Sequence, residues 1–354
     1  MTARAGAEGR QPDRGLERYS RQMLCAQIGE AGQRSLRRAS VTLLGCGALG
    51  GVLANTLVRA GVGALRIIDR DFIELNNLQR QTLFDEQDIA ANLPKAEAAA
   101  RKLRRVNSAV ETDGIVADVQ PGNVEELCAE SDLILDGTDN LETRYLINDV
   151  AVKHGLPWVY AACIATEGLV LAIVPQRTPC LRCVWDVPPA PGALATCDTV
   201  GVLAAAANVV GSLAATEAMK ILIGRPEELA GLLTVDVWTG RVQRVNVQAA
   251  RAAGECPCCQ RGQYEFLDGD RASSACVLCG RDAVQVSPAA VTQVSFRSIV
   301  GRLPSAAKPS YSEYMLRFRA NELAVTLFPD GRAIVQGTTD PAVARGVIAK
   351  YVGT

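Results

Sequence analysis

The chain has 354 residues, of which 48% are hydrophobic and 21% are charged, and its formal net charge is −1. This composition is typical of a globular protein with a sizeable core, and the length predicts two domains. The near-zero charge predicts no nucleic-acid partner. The single histidine, His154, argues against chemistry that needs several imidazoles, such as a Ser-His-Asp triad.

Neither a signal peptide nor a membrane span is expected. Residues 1–15 have no apolar core, so we predict a disordered tail. The most apolar segment, residues 199–216, is Ala-rich but carries Asn208, Ser212 and Thr216 on one helical stripe. This pattern favours a buried helix of a soluble protein over a membrane helix. We therefore expect a cytoplasmic protein that contacts no membrane.

Predicted strands and helices alternate through the first half of the chain. The predicted strands, in order, are VTLL, ALRIIDRD, VETDGIVA, DLILDGTDN and PWVYAACI. Helical segments such as KAEAAARKLRRVN and LETRYLINDVAVKHG separate them. This alternation predicts an α/β fold, with a Rossmann-like, mostly parallel sheet covered by helices on both faces.

The pattern changes in the second half. EGLVLAIVP and LLTVDVWTGRVQRVNV are predicted strands joined by turns, and they enclose the Ala-rich helix. A composition break follows, and ELAVTLFPDGRAIVQG then predicts a hairpin with its turn at Pro329-Asp330-Gly331. We predict a tail at 1–15, a larger α/β domain at 16–262 and a small α+β domain at 263–354.

A G-x-G-x-x-G motif, formed by Gly45, Gly47 and Gly50, lies between the first predicted strand and its helix. In this context the motif favours a nucleotide-phosphate site, although alone it also fits a tight turn. Asp69 ends the second strand, where a carboxylate can accept hydrogen bonds from ribose hydroxyls. NAD and ATP share that ribose, so these residues fit a dehydrogenase or an adenylating enzyme.

The segments that follow favour ATP. They supply amide and cationic side chains, at Asn77, Arg80, Gln81 and Lys95. Cations stabilise the charge that builds on a departing pyrophosphate. Asp136 and Asp139 lie at the end of a later parallel strand, where a carboxylate can hold Mg²⁺.

These motifs together resemble the ThiF/MoeB family of sulfur-carrier adenylyltransferases, which are relatives of ubiquitin-activating enzymes. The resemblance covers about residues 16–262 and rests on RYSRQ, GCGALGG, DRDFIELNNLQRQTLF, PKA, LDGTDN, PCLRC, CDT and CPCC, in that order. The remaining residues resemble an extension found on some bacterial ThiF-type proteins.

The resemblance implies the Rossmann-like adenylation fold and assigns roles by position. ATP contacts would come from Gly45, Gly47, Gly50, Asp69, Asn77, Arg80, Gln81, Lys95, Asp139 and Asn140. Asp139 would also hold Mg²⁺. Arg21 would reach the ATP site of a neighbouring subunit, which implies a homodimer with shared sites.

The implied reaction is adenylation of a ubiquitin-like sulfur-carrier protein that ends in Gly-Gly, with release of pyrophosphate. A sulfur donor such as a cysteine desulfurase or rhodanese would then supply sulfur. CDT and the C-terminal extension favour a ThiS-like carrier of thiamine biosynthesis over a MoaD-like carrier of molybdopterin biosynthesis. The rival hypotheses are an NAD-dependent oxidoreductase and a non-catalytic zinc scaffold that docks a ubiquitin-like partner. The joint presence of Asp69, Arg80, Lys95 and Asp139 counts against the scaffold.

Twelve cysteines without a secretion signal predict metal or thiol chemistry rather than a disulfide framework. Spacing alone favours a local zinc ribbon formed by Cys256, Cys259, Cys276 and Cys279. The resemblance instead implies a Zn²⁺ site formed by Cys180, Cys183, Cys256 and Cys259. The ribbon remains the alternative.

Cys197 precedes the Ala-rich helix. A thiol at a helix N-terminus is expected to have a lowered pKa. The resemblance implies that this cysteine forms a covalent link with the carrier's C-terminus during sulfur transfer, and a capping thiol without chemistry is the alternative.

Overall fold

The computed structural model describes residues 15–189, 197–252, 254–269, 275–278, 282–287 and 294–352. The predicted tail lies outside these ranges, apart from Gly15, and so does the segment 190–196 before Cys197. The described residues form two sheets, one of eight strands and one of six.

The larger sheet follows the predicted strands. Its members are β1 (Ser40–Leu44), β2 (Ala64–Ile68), β3 (Glu111–Ile115), β4 (Leu133–Asp136), β5 (Trp158–Ile164), β6 (Glu167–Ile173), β7 (Leu232–Asp236) and β8 (Arg241–Val245). They lie in the order β3-β2-β1-β4-β5-β6-β7-β8. Strands β1 to β5 pair in parallel, and β6 to β8 continue the sheet with antiparallel pairing. The predicted Rossmann-like, mostly parallel sheet is confirmed.

Helices cover both faces of this sheet. Those described in its part of the chain are α1 (Ser20–Met23), α2 (Gly29–Leu36), α3 (Ala48–Ala60), α4 (Glu86–Ala90), α5 (Lys95–Val106), α6 (Val124–Cys128), α7 (Leu141–His154), α8 (Leu181–Val184), α9 (Cys197–Val200), α10 (Ala204–Leu222) and α11 (Gln248–Ala252). One hydrophobic cluster joins α3, α5 and α10 to the sheet, and another joins α6, α7 and α8. Side chains alternate across each strand, so Leu43 packs in the first cluster and Leu44 in the second.

The Ala-rich segment forms α10, which packs one face against the sheet and α3. Ala207, Ala214 and Ala218 are fully buried, whereas Ser212 and Thr216 are exposed. The helix begins five residues later than the predicted start because Gly201, at φ +81°, separates it from α9. Among the described helices, none combines the length and the apolar character that crossing a bilayer requires.

The smaller sheet is antiparallel and has its own core. Its strands are β9 (Ala275–Leu278), β10 (Ala283–Val286), β11 (Ser310–Tyr311), β12 (Leu316–Ala320), β13 (Leu323–Leu327) and β14 (Ala333–Gln336), in the order β11-β12-β13-β14-β10-β9. With α12 (Phe296–Val300) and α13 (Pro341–Tyr351) it forms the C-terminal domain. The predicted hairpin is confirmed, because β13 pairs with β14 and Gly331 adopts φ +87° between them.

Glycines bring the end of β1 into contact with the end of β4. A Cβ atom on Gly50 in α3 would lie 2.1 Å from the carbonyl oxygen of Gly45, and one on Gly137 would lie 2.2 Å from that same oxygen. Only hydrogen fits in these positions, so the two strand ends and the first turn of α3 form one compact unit.

This contact predicts different outcomes for two adjacent glycines. Gly50→Ala should lower the free energy of unfolding by about 2 kcal/mol or more, because the new methyl group must displace backbone. Gly51→Ala should be neutral or stabilising by up to about 1 kcal/mol, because its methyl group would meet only Leu83, at 3.4 Å. Urea unfolding measures both values, and equal losses would contradict the close approach at Gly50.

Candidate active site

The candidate site is a crevice at the carboxyl ends of the parallel strands. Strands β2 and β4 lie on opposite sides of β1, so the chain order reverses there. Open α/β sheets bind ligands at such a switch point. The glycine loop leaves β1 here, and the loop of Gly137 to Asn140 leaves β4 beside it.

The glycine loop leaves space for a ligand at Gly47. A Cβ atom there would have only Gln81 Nε2 nearby, at 3.7 Å. Gly47 is the N-cap of α3, a 13-residue helix, and among the described residues no side-chain hydrogen bond caps its first amides. Gln81 is 5% exposed, and its Oε1 atom has no hydrogen-bond partner among the described residues. Uncapped amides at a helix N-terminus are well suited to bind phosphate.

Asp69 lies next to the glycine loop. Its carboxylate accepts hydrogen bonds from the backbone N–H groups of Cys46, at 2.6 Å, and Asp71, at 2.7 Å. Burial raises the pKa of Asp69, the nearby Lys95 ammonium opposes that rise, and the Asp71 carboxylate adds to it. Lys95 is 4% exposed, and its Nζ lies 3.0 Å from Asp71 Oδ2. The predicted ribose carboxylate and phosphate cation therefore share one charged cluster.

The two carboxylates of the DGTDN segment differ in environment. Asp136 is fully buried and accepts hydrogen bonds from Thr138 and from Arg144, whose Nε lies 3.0 Å away. Burial raises the pKa of Asp136, and Arg144 opposes this rise. Asp139 is exposed at the crevice mouth. Asp136 thus stabilises the loop by its hydrogen bonds to Thr138. Asp139 is a carboxylate that a cation can reach from solvent.

Three other predicted nucleotide contacts have local structural partners. Asn77 is fully buried and caps its own turn by accepting the Glu74 N–H at 3.1 Å. Asn140 caps α7 by accepting the Glu142 N–H at 2.8 Å. Arg80 donates to the carbonyl oxygen of Asn76 at 2.7 Å.

Arg21 lies far from the glycine loop of its own chain. Beside it, Gln22 donates to the carbonyl oxygen of Ala60 at 3.0 Å, at the C-terminal end of α3. The glycine loop is at the other end of that helix, about 20 Å away at 1.5 Å per residue. Arg21 itself is exposed in α1.

Four cysteines from two distant segments meet outside the crevice. The sulfur atoms of Cys180, Cys183, Cys256 and Cys259 lie within 4.8 Å of one another, and the contacts between the two pairs are 3.6 and 3.4 Å. Four thiolates around a tetrahedral zinc stand about 3.8 Å apart, given Zn–S bonds of about 2.3 Å. The donor set therefore fits zinc. The Cys276 side chain and Cys279 lie outside the described part of the chain.

Helix α7 holds both cysteine segments. Asn148 accepts the Leu181 N–H at 2.8 Å, beside the first pair, and donates to Cys258 Sγ at 3.3 Å, beside the second. Asp149 accepts the Phe266 N–H at 2.9 Å. Cys258 is buried, and its sulfur is not part of the four-thiol cluster. Because Asn140, at the crevice, caps the N-terminus of α7, one helix links the cluster to the crevice.

Cys197 begins the four-residue helix α9 rather than the long helix, which differs from the predicted position. Its Sγ donates to the Cys163 carbonyl oxygen at 3.3 Å. Burial raises the pKa of the Cys163 thiol to about 12, with a further contribution from Cys197. Cys163 is thus a protonated neighbour near neutral pH.

Sequence reasoning missed Arg144 and Arg70. Arg144 could have been suspected as a cation that pairs with Asp136, the acidic end of a buried strand. Arg70, between two predicted site residues, binds Asp118 Oδ1 at 2.6 Å. Burial would lower the pKa of Arg70, but the carboxylates of Asp118 and Asp71 raise it. No local pattern in the sequence signals this partner.

Comparisons with known proteins agree with these features. The chain matches the ThiF family over residues 19–258. It is 41% identical to the sulfur carrier protein ThiS adenylyltransferase of Bacillus subtilis, over 95% of this chain and 99% of that one. It is 38% identical to the sulfur carrier protein adenylyltransferase of Thermus thermophilus, over 72% and 94% of the two chains. It is also 38% identical to adenylyltransferase and sulfurtransferase MOCS3 of Sus scrofa, over 73% and 58%.

The structural comparison supports the same fold. MccB of E. coli, solved with a MccA-derived peptide, superposes with a TM-score of 0.61 at 24% identity, over 69% of this chain and 75% of that one. The match to the family over most of the larger domain, together with a relative that spans nearly the whole chain, establishes that this protein belongs to the ThiF family.

Proposed function

We propose that this protein adenylates the C-terminal glycine of a ThiS-like sulfur-carrier protein, with ATP as the second substrate. The observation that carries the proposal is the 41% identity to the Bacillus subtilis ThiS adenylyltransferase, which extends through the C-terminal domain. The similarity to MOCS3 covers only 73% of the chain. A MoaD-like carrier of molybdopterin synthesis is the second candidate because of that similarity.

The reaction needs alignment and neutralisation of charge more than proton transfer. A carboxylate oxygen of the carrier attacks the α-phosphorus of ATP, the new C–O–P linkage forms, and the bond to the leaving pyrophosphate breaks. The uncapped amides of α3, Lys95 and Arg80 would hold the phosphates, and Asp69 would hold the ribose. The Gln81 amide, which faces Gly47, would also contact the phosphates, whereas Asn77 and Asn140 cap the turns beside them.

Asp139 is the proposed holder of Mg²⁺, because it is the exposed carboxylate of the β4 loop. The ion supplies charge neutralisation on the phosphates when it is bound. Asp136 stabilises the loop instead, because its carboxylate forms an ion pair with Arg144.

Asp139→Ala should lower carrier-dependent ATP–pyrophosphate exchange by about a hundredfold or more while the protein stays folded. Asp113→Ala, which removes an exposed carboxylate of β3, is the matched control and should keep full exchange. Undiminished exchange in Asp139→Ala would remove this residue from the mechanism.

We further propose a homodimer in which Arg21 acts on the neighbouring subunit's site, since it lies at the far end of α3 from its own. Arg21→Ala and Asp139→Ala subunits should each be inactive alone. Mixing them should restore activity, because each heterodimer then has one site without either lesion. No recovery on mixing would contradict a shared site.

The four-thiol cluster is proposed to bind one structural zinc per chain. Cys180→Ser should release that zinc and lower the melting temperature, because metal binding contributes to folding. Cys128→Ser changes a buried thiol outside the cluster and should retain zinc. Metal analysis that finds full zinc in Cys180→Ser, and a loss in Cys276→Ser, would instead favour the ribbon.

Cys197 is proposed to link covalently to the carrier's C-terminus after adenylation. Its thiolate would attack the carbonyl carbon of the acyl adenylate, so that a thioester forms and the bond to AMP breaks. Sulfide from a separate donor protein would then displace the Cys197 thiolate and leave the carrier thiocarboxylate. Cys197→Ala should therefore keep exchange within about twofold of wild type but lose the covalent adduct and most of the thiocarboxylate. Cys163→Ala, at the partly buried neighbour, should retain exchange, adduct and thiocarboxylate. Mass spectrometry measures the adduct, and its survival in Cys197→Ala would reduce this residue to a packing role.

A further inference from the structure

The C-terminal domain contacts the outer end of the crevice. Two loops meet there, residues 69–72 after β2 and residues 116–120 after β3. The Asp69 N–H donates to the Ile115 carbonyl oxygen at 3.2 Å, so the loops start side by side. Both loops carry side chains that reach into the C-terminal domain.

Asp118 makes the shortest of the polar contacts described between the two parts, beside that of Gln120 with Ser287 Oγ at 3.4 Å. One of its carboxylate oxygens accepts Arg70 Nη1 at 2.6 Å, and the other accepts Gln285 Nε2 at 2.8 Å and Gln120 Nε2 at 3.0 Å. Gln285 belongs to β10 and is 4% exposed. Burial would raise the pKa of Asp118, but Arg70 and the buried Arg332 lower it, so the carboxylate is charged.

An apolar contact lies beside these polar contacts. The rings of Phe72 and Phe328 stack with centroids 6.1 Å apart, against the buried Met315. The Arg317 guanidinium lies 5.8 Å from the Phe72 ring. Phe72 also forms a β-bridge with Pro94, next to Lys95. The C-terminal domain thus packs against the loop that carries Asp69 and Asp71.

The order of strands shows which part of a nucleotide this loop faces. Phosphates belong at the glycine loop after β1, and the ribose belongs at Asp69 after β2. The loop after β3 lies one strand farther out, on the side away from Asp139. In ATP bound as proposed, the adenosine end would be the end closest to Asp118.

We infer that the C-terminal domain is part of the nucleotide site, and that Gln285 is a positioning residue that acts through Asp118 and Arg70 on the ribose-binding loop. This inference rests on the proposed use of ATP. Gln285 touches no reacting atom. Its amide donor, together with that of Gln120, holds the second oxygen of Asp118, and this sets the direction in which Asp118 holds Arg70, beside Asp69.

Two substitutions at one position separate hydrogen bonding from packing. Gln285→Ala removes the donor, whereas Gln285→Glu keeps the volume but places a carboxylate against Asp118. Both should raise the dissociation constant for ATP about three- to tenfold, the glutamate at least as much as the alanine, because a hydrogen bond to a charged group is lost in both. Binding of inorganic pyrophosphate, which lacks the adenosine end, should stay unchanged. Calorimetric titration of the full chain with ATP and with pyrophosphate measures both constants.

Gln336→Ala is the matched control. Gln336 is exposed on the adjoining strand β14, and its partner in the strand register is Ala283 rather than Gln285. This variant should leave both constants unchanged. Asp118→Asn, which keeps size but weakens the hold on Arg70, should reproduce the selective loss if a Gln285 variant fails to fold. Unchanged ATP affinity in the folded variants, or equal loss of ATP and pyrophosphate affinity, would overturn the inference alone. Wild-type protein that binds no ATP would overturn the proposed function as well.

Discussion

The backbone contact between the ends of β1 and β4 is the constraint on which the site depends. The carbonyl oxygen of Gly45 lies where any side chain on Gly50 or Gly137 would have to be. The contact brings the first turn of α3 and the loop before α7 to the same edge of the sheet. The proposed phosphate site and the exposed carboxylate of Asp139 thereby come together on a framework set by backbone.

Around that contact, the protein separates carboxylates that stabilise the fold from carboxylates that are available to ligands. Asp136 and Asp118 are paired with arginines and hydrogen-bonded on both oxygens, which offsets the cost of burying their charge. Asp139 remains exposed, and Asp69 is held by backbone amides. Chemistry that relies on positioned charge suits a chain with a single histidine.

Much of this arrangement could be predicted from the sequence because it depends on local patterns. Strand and helix periodicity, the glycine motif and the Pro-Asp-Gly turn each specify structure within a few residues. Contacts across long separations could not be predicted: Asp118 and Gln285 are 167 positions apart, and nothing near either one indicates the other. The sequence also could not show that Asn77 and Asn140 serve as caps, or that Gly201 would place Cys197 on a separate short helix.

If this crevice joins AMP to a carrier's C-terminal glycine, the adenylated carrier should be detectable by intact-mass spectrometry. The experiment incubates a ThiS-like carrier ending in Gly-Gly with the protein, ATP and Mg²⁺, without a sulfur donor. We expect the carrier to gain the mass of one adenylyl group, pyrophosphate to accumulate, and a carrier lacking its last glycine to gain nothing. A carrier whose mass stays unchanged, with MoaD-like carriers equally unmodified, would contradict this expectation.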